Sequence, residues 1–197
     1  MRRMSSFRWT ALARAVILLA GGGLLLWGSA YVHNTVRSQL SAQQIYFPPA
    51  AAFAHPKAGT EITPSMIPSV SQYAGQQLLT GQQAEAYADH FIAVHLTEIG
   101  GGKTYAQLST EALAKPADAA LAAQVATVFK GTTLRSMLLN AYGWWKVSQI
   151  LFIAAITAIA LGGLALIGSV ADFVAGRQAR PQATVVPATE MAPPKAA

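Results

Sequence analysis

No cysteine occurs among the 197 residues, so disulfides and thiolate metal sites are excluded. Charge is also scarce. Only 11% of the residues are charged, against about 25% in an ordinary soluble domain. No His-Glu-x-x-His pair and no serine in a nucleophile elbow occurs, which removes the commonest zinc and hydrolase signatures. The run Gly100-Gly101-Gly102-Lys103-Thr104 resembles the end of a phosphate-binding loop. That loop requires a glycine where Thr97 stands, so nucleotide binding is not expected.

What is abundant is apolar sequence, 53% of the chain. Two stretches hold much of it, Ala15 to Val32 and Val147 to Val174. A helix crosses the hydrocarbon core with roughly 20 apolar residues, and both stretches suffice. The net charge of +6 gathers outside them: Arg2, Arg3, Arg8 and Arg14 before the first, Arg177, Arg180 and Lys195 after the second. Between the spans, basic residues nearly balance Glu61, Glu85, Asp89, Glu98, Glu111 and Asp118. Charge of this distribution orients a membrane protein and gives no reason to expect nucleic acid as a partner. It predicts a membrane protein with both termini cytoplasmic. The expected divisions are a cytoplasmic segment 1–14, a span 15–32, an extracytoplasmic domain 33–143, a span 144–176 and a disordered cytoplasmic tail 177–197. Trp9, Trp27, Tyr31, Tyr142, Trp144 and Trp145 fall where aromatic rings favour the headgroup level. A cleaved signal peptide, with Gly28-Ser29-Ala30 as its site, is the rival reading of the first span.

Small residues mark the expected helix-packing faces: Gly21, Gly22 and Gly23 in the first span, and Ala154, Ala158 and Gly162, four apart, in the second. Packing of the two spans on each other is expected, with contact between copies of the chain as the alternative. Arg14 and Asp172 have matching depths at the inner ends; a salt bridge and separate snorkelling are both open.

The outer segment reads as helical, which makes the fold class mainly α with two transmembrane helices flanking a helical domain. A strap at 46–68 is the exception, since Pro48, Pro49, Pro56, Pro64 and Pro68 forbid a continuous helix. Before it, the first helix is expected to reach about Gln44. Ser69 with Gln72, Thr80 with Gln83 and Thr104 with Gln107 have the capping-box pattern. A further helix is expected from Pro116, ending at Gly131, with Thr132 or Thr133 opening a last helix that runs unbroken into the second span. At 100° per residue, the stretch Gln82 to Ile99 sets Ala84, Tyr87, Ala88, Phe91, Val94 and His95 on one face, with Glu98 on the same side. Gly100-Gly101-Gly102 ends it.

Asp89, His90, His95 and Glu98 are the residues with metal-ligand chemistry. Five residues apart on an α-helix, His90 and His95 diverge by about 140°. His95 and Glu98, three apart, can meet. They are expected to satisfy each other as a buried polar pair, and they are also the candidate metal ligands should there be a metal. Lys103 is expected on the carbonyl end of the preceding helix or on Glu98.

The segments Gln72-Tyr73-Ala74-Gly75-Gln76-Gln77, Ala86 to Asp89, Phe91 to Leu96 and Gly101 to Tyr105 are similar to a family of uncharacterised actinobacterial two-span membrane proteins. So are Thr133-Leu134-Arg135 and Leu138 to Trp144. Members often carry the label of an aromatic ring-opening dioxygenase subunit. Such enzymes hold iron on two histidines and a glutamate, and the histidine spacing here does not supply that set. The resemblance implies no established activity and no site residues.

The expected function is an interaction or scaffolding role in the envelope, with the bilayer and either a membrane-protein partner or a second copy as contacts. No catalytic residue and no cofactor is assigned. The alternatives are a metal-dependent envelope enzyme centred on His95 and Glu98, and a small subunit of a transporter complex.

Overall fold

The computed structural model describes residues 2–178, with side chains from Trp9 to Ala175. The side chains of the arginines at 2, 3, 8 and 177, together with Arg180, Lys195 and nearly all of the tail, lie outside what is described. The described chain is mainly helical; it contains no strand, only an isolated antiparallel bridge between Tyr46 and Gln77. Two helices are long and apolar enough to cross a membrane, within Trp9–Ala42 and Ala119–Ala175.

The chain forms two units, one holding residues up to Gly22 and from Thr157 onward, the other Gly23–Ile156. Helix α1 (Arg2–Ala42) and helix α6 (Ala119–Gln178) each contribute to both. In the first unit, Ala15, Gly22 and Gly162 are buried and Ala158 is half-buried. A side chain at Gly162 would press on Leu18 and Leu19, so the glycine is what lets the helices approach. Gly21 is exposed there, as are Arg14 and Asp172, which form no ion pair with each other.

In the second unit, α1 contributes Ser29, Val36 and Leu40 to the interior, and α6 contributes Leu138, Trp145, Ser148 and Ala155. Gly23 and Ala154 are exposed. In the first unit the buried positions of α1, 15 and 22, are seven apart; in the second, those of α1 include 29 and 36 and those of α6 include 148 and 155, again seven apart. A spacing of seven keeps one stripe of a helix facing its partner. Gly22 and Ala155 are buried, whereas Gly21, Gly23 and Ala154 are exposed. Ser29 Oγ donates from α1 to the Ser148 carbonyl of α6 at 2.7 Å.

After α1, Gln44 turns the chain with φ 52°. Three backbone bonds then tie the strap's two ends together: Leu78 N to Ile45 O, Phe47 N to Gln76 O and Gly75 N to Pro48 O, each 2.9 Å. The strap is not extended throughout. It holds short 3₁₀ turns at Ala50–Phe53, Pro64–Met66 and Ser71–Tyr73, and a single α turn, α2 (Ile67–Val70). Pro64 and Pro68 sit in the first turn of their elements, where the missing N–H has no intrahelical role. Ser69 does not open a helix; its carbonyl accepts from Gln72 Nε2. Phe47, Ile62, Met66 and Val70 of this region enter the main core beside Leu78, Ala84, Ala88 and Ile92.

Helix α3 (Gly81–Tyr87) starts at Thr80 with both bonds of a capping box. It passes through a π turn, Ala88–Ile92, into α4 (Ala93–Ile99). A Schellman pair closes α4: Gly102 N reaches Thr97 O at 2.8 Å and Gly101 N reaches Glu98 O at 3.1 Å. Gly101 takes φ 57° there, a left-handed conformation that side chains resist. Helix α5 (Tyr105–Ala114) has the second capping box, on Thr104 and Gln107. Helix α6 begins at Ala119, with Asp118 Oδ1 accepting from Leu121 N at 2.9 Å. It continues through Gly131 without a break, contrary to the expected boundary; the glycine serves packing there, since a side chain would press on Leu96.

Candidate functional site

The helix formed by α3, the π turn and α4 lies against the stretch of α6 from about Gly131 to Trp145. Between them runs a groove of about 400 Å³ lined by Phe91, Ile92, His95, Leu96, Ile99, Thr127, Lys130, Gly131 and Leu134. A row of rings leads toward it: Tyr73, Phe47, Tyr87, Phe91 and His95, with neighbouring centroids 4.7–5.3 Å apart. Burial raises the Tyr87 phenol above its usual value near 10, and the charge of Glu61 adds to the shift.

His95 and Glu98 do not pair. His95 Nδ1 bonds to the Phe91 carbonyl at 2.9 Å, and its ring meets the Phe91 ring edge-on. Glu98 is exposed, and its Oε1 accepts from Gly59 N at 3.5 Å. The backbone carbonyl one turn earlier is the nearer acceptor for the imidazole, and it removes the need for the carboxylate. Among the described residues, no three His, Cys, Asp or Glu side chains stand close enough to share a metal ion. The π turn alters the ideal helical angle between His90 and His95, since it spreads one turn over more residues than an α-helix does. Lys103 reaches neither Glu98 nor a helix end; its Nζ lies 2.6 Å from Glu111 Oε1.

An ion pair absent from the sequence reading joins the two walls of the groove's neighbourhood. Arg135 Nε and Nη2 both reach Asp89 Oδ1, at 3.1 and 2.5 Å. Arg135 lies seven residues after the buried Val128 and fourteen after Leu121, so it continues an inward face. A cation on such a face is the signal that could have identified it.

Neither family models nor curated proteins nor solved structures give a match to this chain.

The groove therefore offers apolar surface, one imidazole already engaged and no converging acid–base pair. Beside it, α6 exposes Phe129, Met137 and Trp144 at 52, 65 and 53%. At 100° per residue these three fall within about 80° of one another.

Proposed function

We propose that the chain is a membrane-anchored interaction or scaffolding component of the bacterial envelope. In this reading residues 15–32 and 144–176 cross the bilayer, both termini are cytoplasmic, and the helical domain 33–143 is extracytoplasmic. The flanking arginines and the interfacial tryptophans support that orientation. The resemblance to actinobacterial two-span proteins belongs to the same reading.

The observation that carries it is the exposure of Phe129 and Met137 on one side of α6, outside the proposed spans, continuing toward Trp144 at the start of the second span. A soluble domain rarely leaves large apolar side chains together on one helix face without a partner. The proposed occupant is a helix of another envelope membrane protein, which would meet this face beside the headgroup level. A photo-crosslinking residue at Met137, in intact membranes, is expected to capture one defined partner, and the same residue at Lys115 is not. Capture of the chain by itself would replace the partner with a second copy. Absence of any crosslink would refute the role of this face. The lack of cysteine makes sidedness simple to read: a single thiol at Lys57 should react with an impermeant maleimide on whole cells, and one at Asp172 only after lysis.

A further inference from the structure

The groove between α4 and α6 is left unused by a scaffolding role. Its volume, about 400 Å³, is within the range of roughly 300–1,000 Å³ common for small-ligand sites. Leu96 packs so closely on Gly131 that a side chain there would press on it, which holds the two walls together. Phe91, Ile92, Ile99 and Leu134 extend the apolar lining.

Three polar side chains also line the groove, and their hydrogen bonds sort them. Thr127 Oγ1 donates to the Ala123 carbonyl at 3.0 Å and is satisfied. His95 Nδ1 lies 2.9 Å from the Phe91 carbonyl. A carbonyl only accepts, so Nδ1 carries the proton, and in the neutral ring Nε2 keeps a lone pair. Nε2 has no partner among the described residues, and it is not buried. Lys130 forms no ion pair among the described residues. Beside its apolar surface, the groove therefore offers one cationic donor and one neutral acceptor. In the two-span reading, Leu134 stands about 15 Å of helix before residue 144, so lipid tails do not cover this surface. An occupant arrives from water.

We propose that the groove binds a hydroxyalkanoic acid. The carboxylate accepts from Lys130 Nζ, the hydroxyl donates to His95 Nε2, and the alkyl chain lies on Phe91, Leu96, Ile99 and Leu134. The chemistry selects this class. A plain hydrocarbon would leave both polar groups to water, and a sugar would leave the apolar lining unmatched. The inference goes beyond the scaffolding role and uses the spans only to keep lipid tails away.

The test uses the full chain in nanodiscs, titrated by isothermal calorimetry at about pH 8, where an ordinary imidazole is neutral. Empty nanodiscs are the blank. The probe is β-hydroxyoctanoate; octanoate lacks its hydroxyl, and β-hydroxyoctanamide lacks its charge. The native chain is expected to bind one β-hydroxyoctanoate, and to bind each analogue roughly threefold to tenfold more weakly, as one lost hydrogen bond predicts. Lys130→Met should bind the acid and the amide alike. His95→Phe should lose the preference for the hydroxyl and keep that for the carboxylate. Absence of saturable heat with the native chain, or equal affinity for the three ligands, would overturn the proposal. So would a preference that survives removal of the residue assigned to it. The ligand comparison is made on the native chain, so it decides the matter even where a variant does not fold. Failure here refutes the groove site alone, because the spans and the partner face are read by labelling and crosslinking.

Discussion

Gly81→Ala should be among the most damaging single-methyl additions in the unit Gly23–Ile156. A β-carbon built at Gly81 falls inside contact distance of Trp145 Cβ, Cγ and Cδ1. None of these is the mobile tip of a flexible side chain. They are the root of a buried indole that His33 also packs against. Relief would need α3 to shift away from α6, or the indole to leave its rotamer. Overpacking of this kind costs about 1–3 kcal/mol. Alanine's better helix propensity offsets little of it, since Gly81 is the first residue after the Thr80 cap. The expected fall in Tm is roughly 4–12 °C for a domain of this size. Gly143→Ala provides the control with opposite sign. It lies within α6 with nothing near its added methyl, and should gain about 0.5–1 kcal/mol. Circular dichroism at 222 nm, followed against temperature in detergent, reads both. A Gly81→Ala protein that melts at or above the native temperature would refute the packing argument.

Asp89→Asn and Arg135→Gln should each cost up to about 1 kcal/mol, because the pair is a third or more exposed and solvent screens it. A double-mutant cycle should give a coupling of roughly 0.5 kcal/mol that shrinks in high salt. The raised Tyr87 phenol favours the neutral form in the folded protein. Its stabilisation is complete below pH 10 and is lost as pH rises through the folded value, so Tyr87→Phe should resist alkaline unfolding better than the native chain. Thr80→Ala should destabilise by about 1 kcal/mol. The loss should exceed that of Thr104→Ala, because Gln83 of the first box is buried and also accepts from Leu79 N; parallel urea titrations would show it.

Local chemistry was legible in the chain. Thr80, Thr104 and the triple glycine announce helix ends through interactions that reach only a few residues. Ser69 has the same pattern, yet Pro68 and the core residues Met66 and Val70 commit that stretch to short turns instead. Gly131 does not end a helix; it is the point where Leu96 packs closely on α6, a contact between residues 35 apart that local spacing does not show. Small residues in the spans were visible, but the choice of Gly22 over its neighbours depends on a period of seven along α1. The polar contacts depend on geometry that spacing does not carry. His95 satisfies itself on its own backbone, and Arg135 meets Asp89 from 46 residues away. The π turn is the plainest case: no residue type encodes it, and it changes the wheel for every position after Ala88.

The tied ends of the strap bear on how this region tolerates change. Residues 45–48 and 75–78 are held side by side by backbone bonds. The path from α1 to α3 is therefore set at the base of the loop and not by the length of chain above it. At the far end, Lys57 to Glu61 is exposed and closed by its own bond from Lys57 N to Ile62 O. Loop closure costs only about 0.6 kcal/mol for each doubling of length. An epitope tag spliced beside Gly59 should be carried without moving Ile62, Met66 or Val70. A protease cut at Lys57 should likewise yield two fragments that stay associated until the core itself is unfolded.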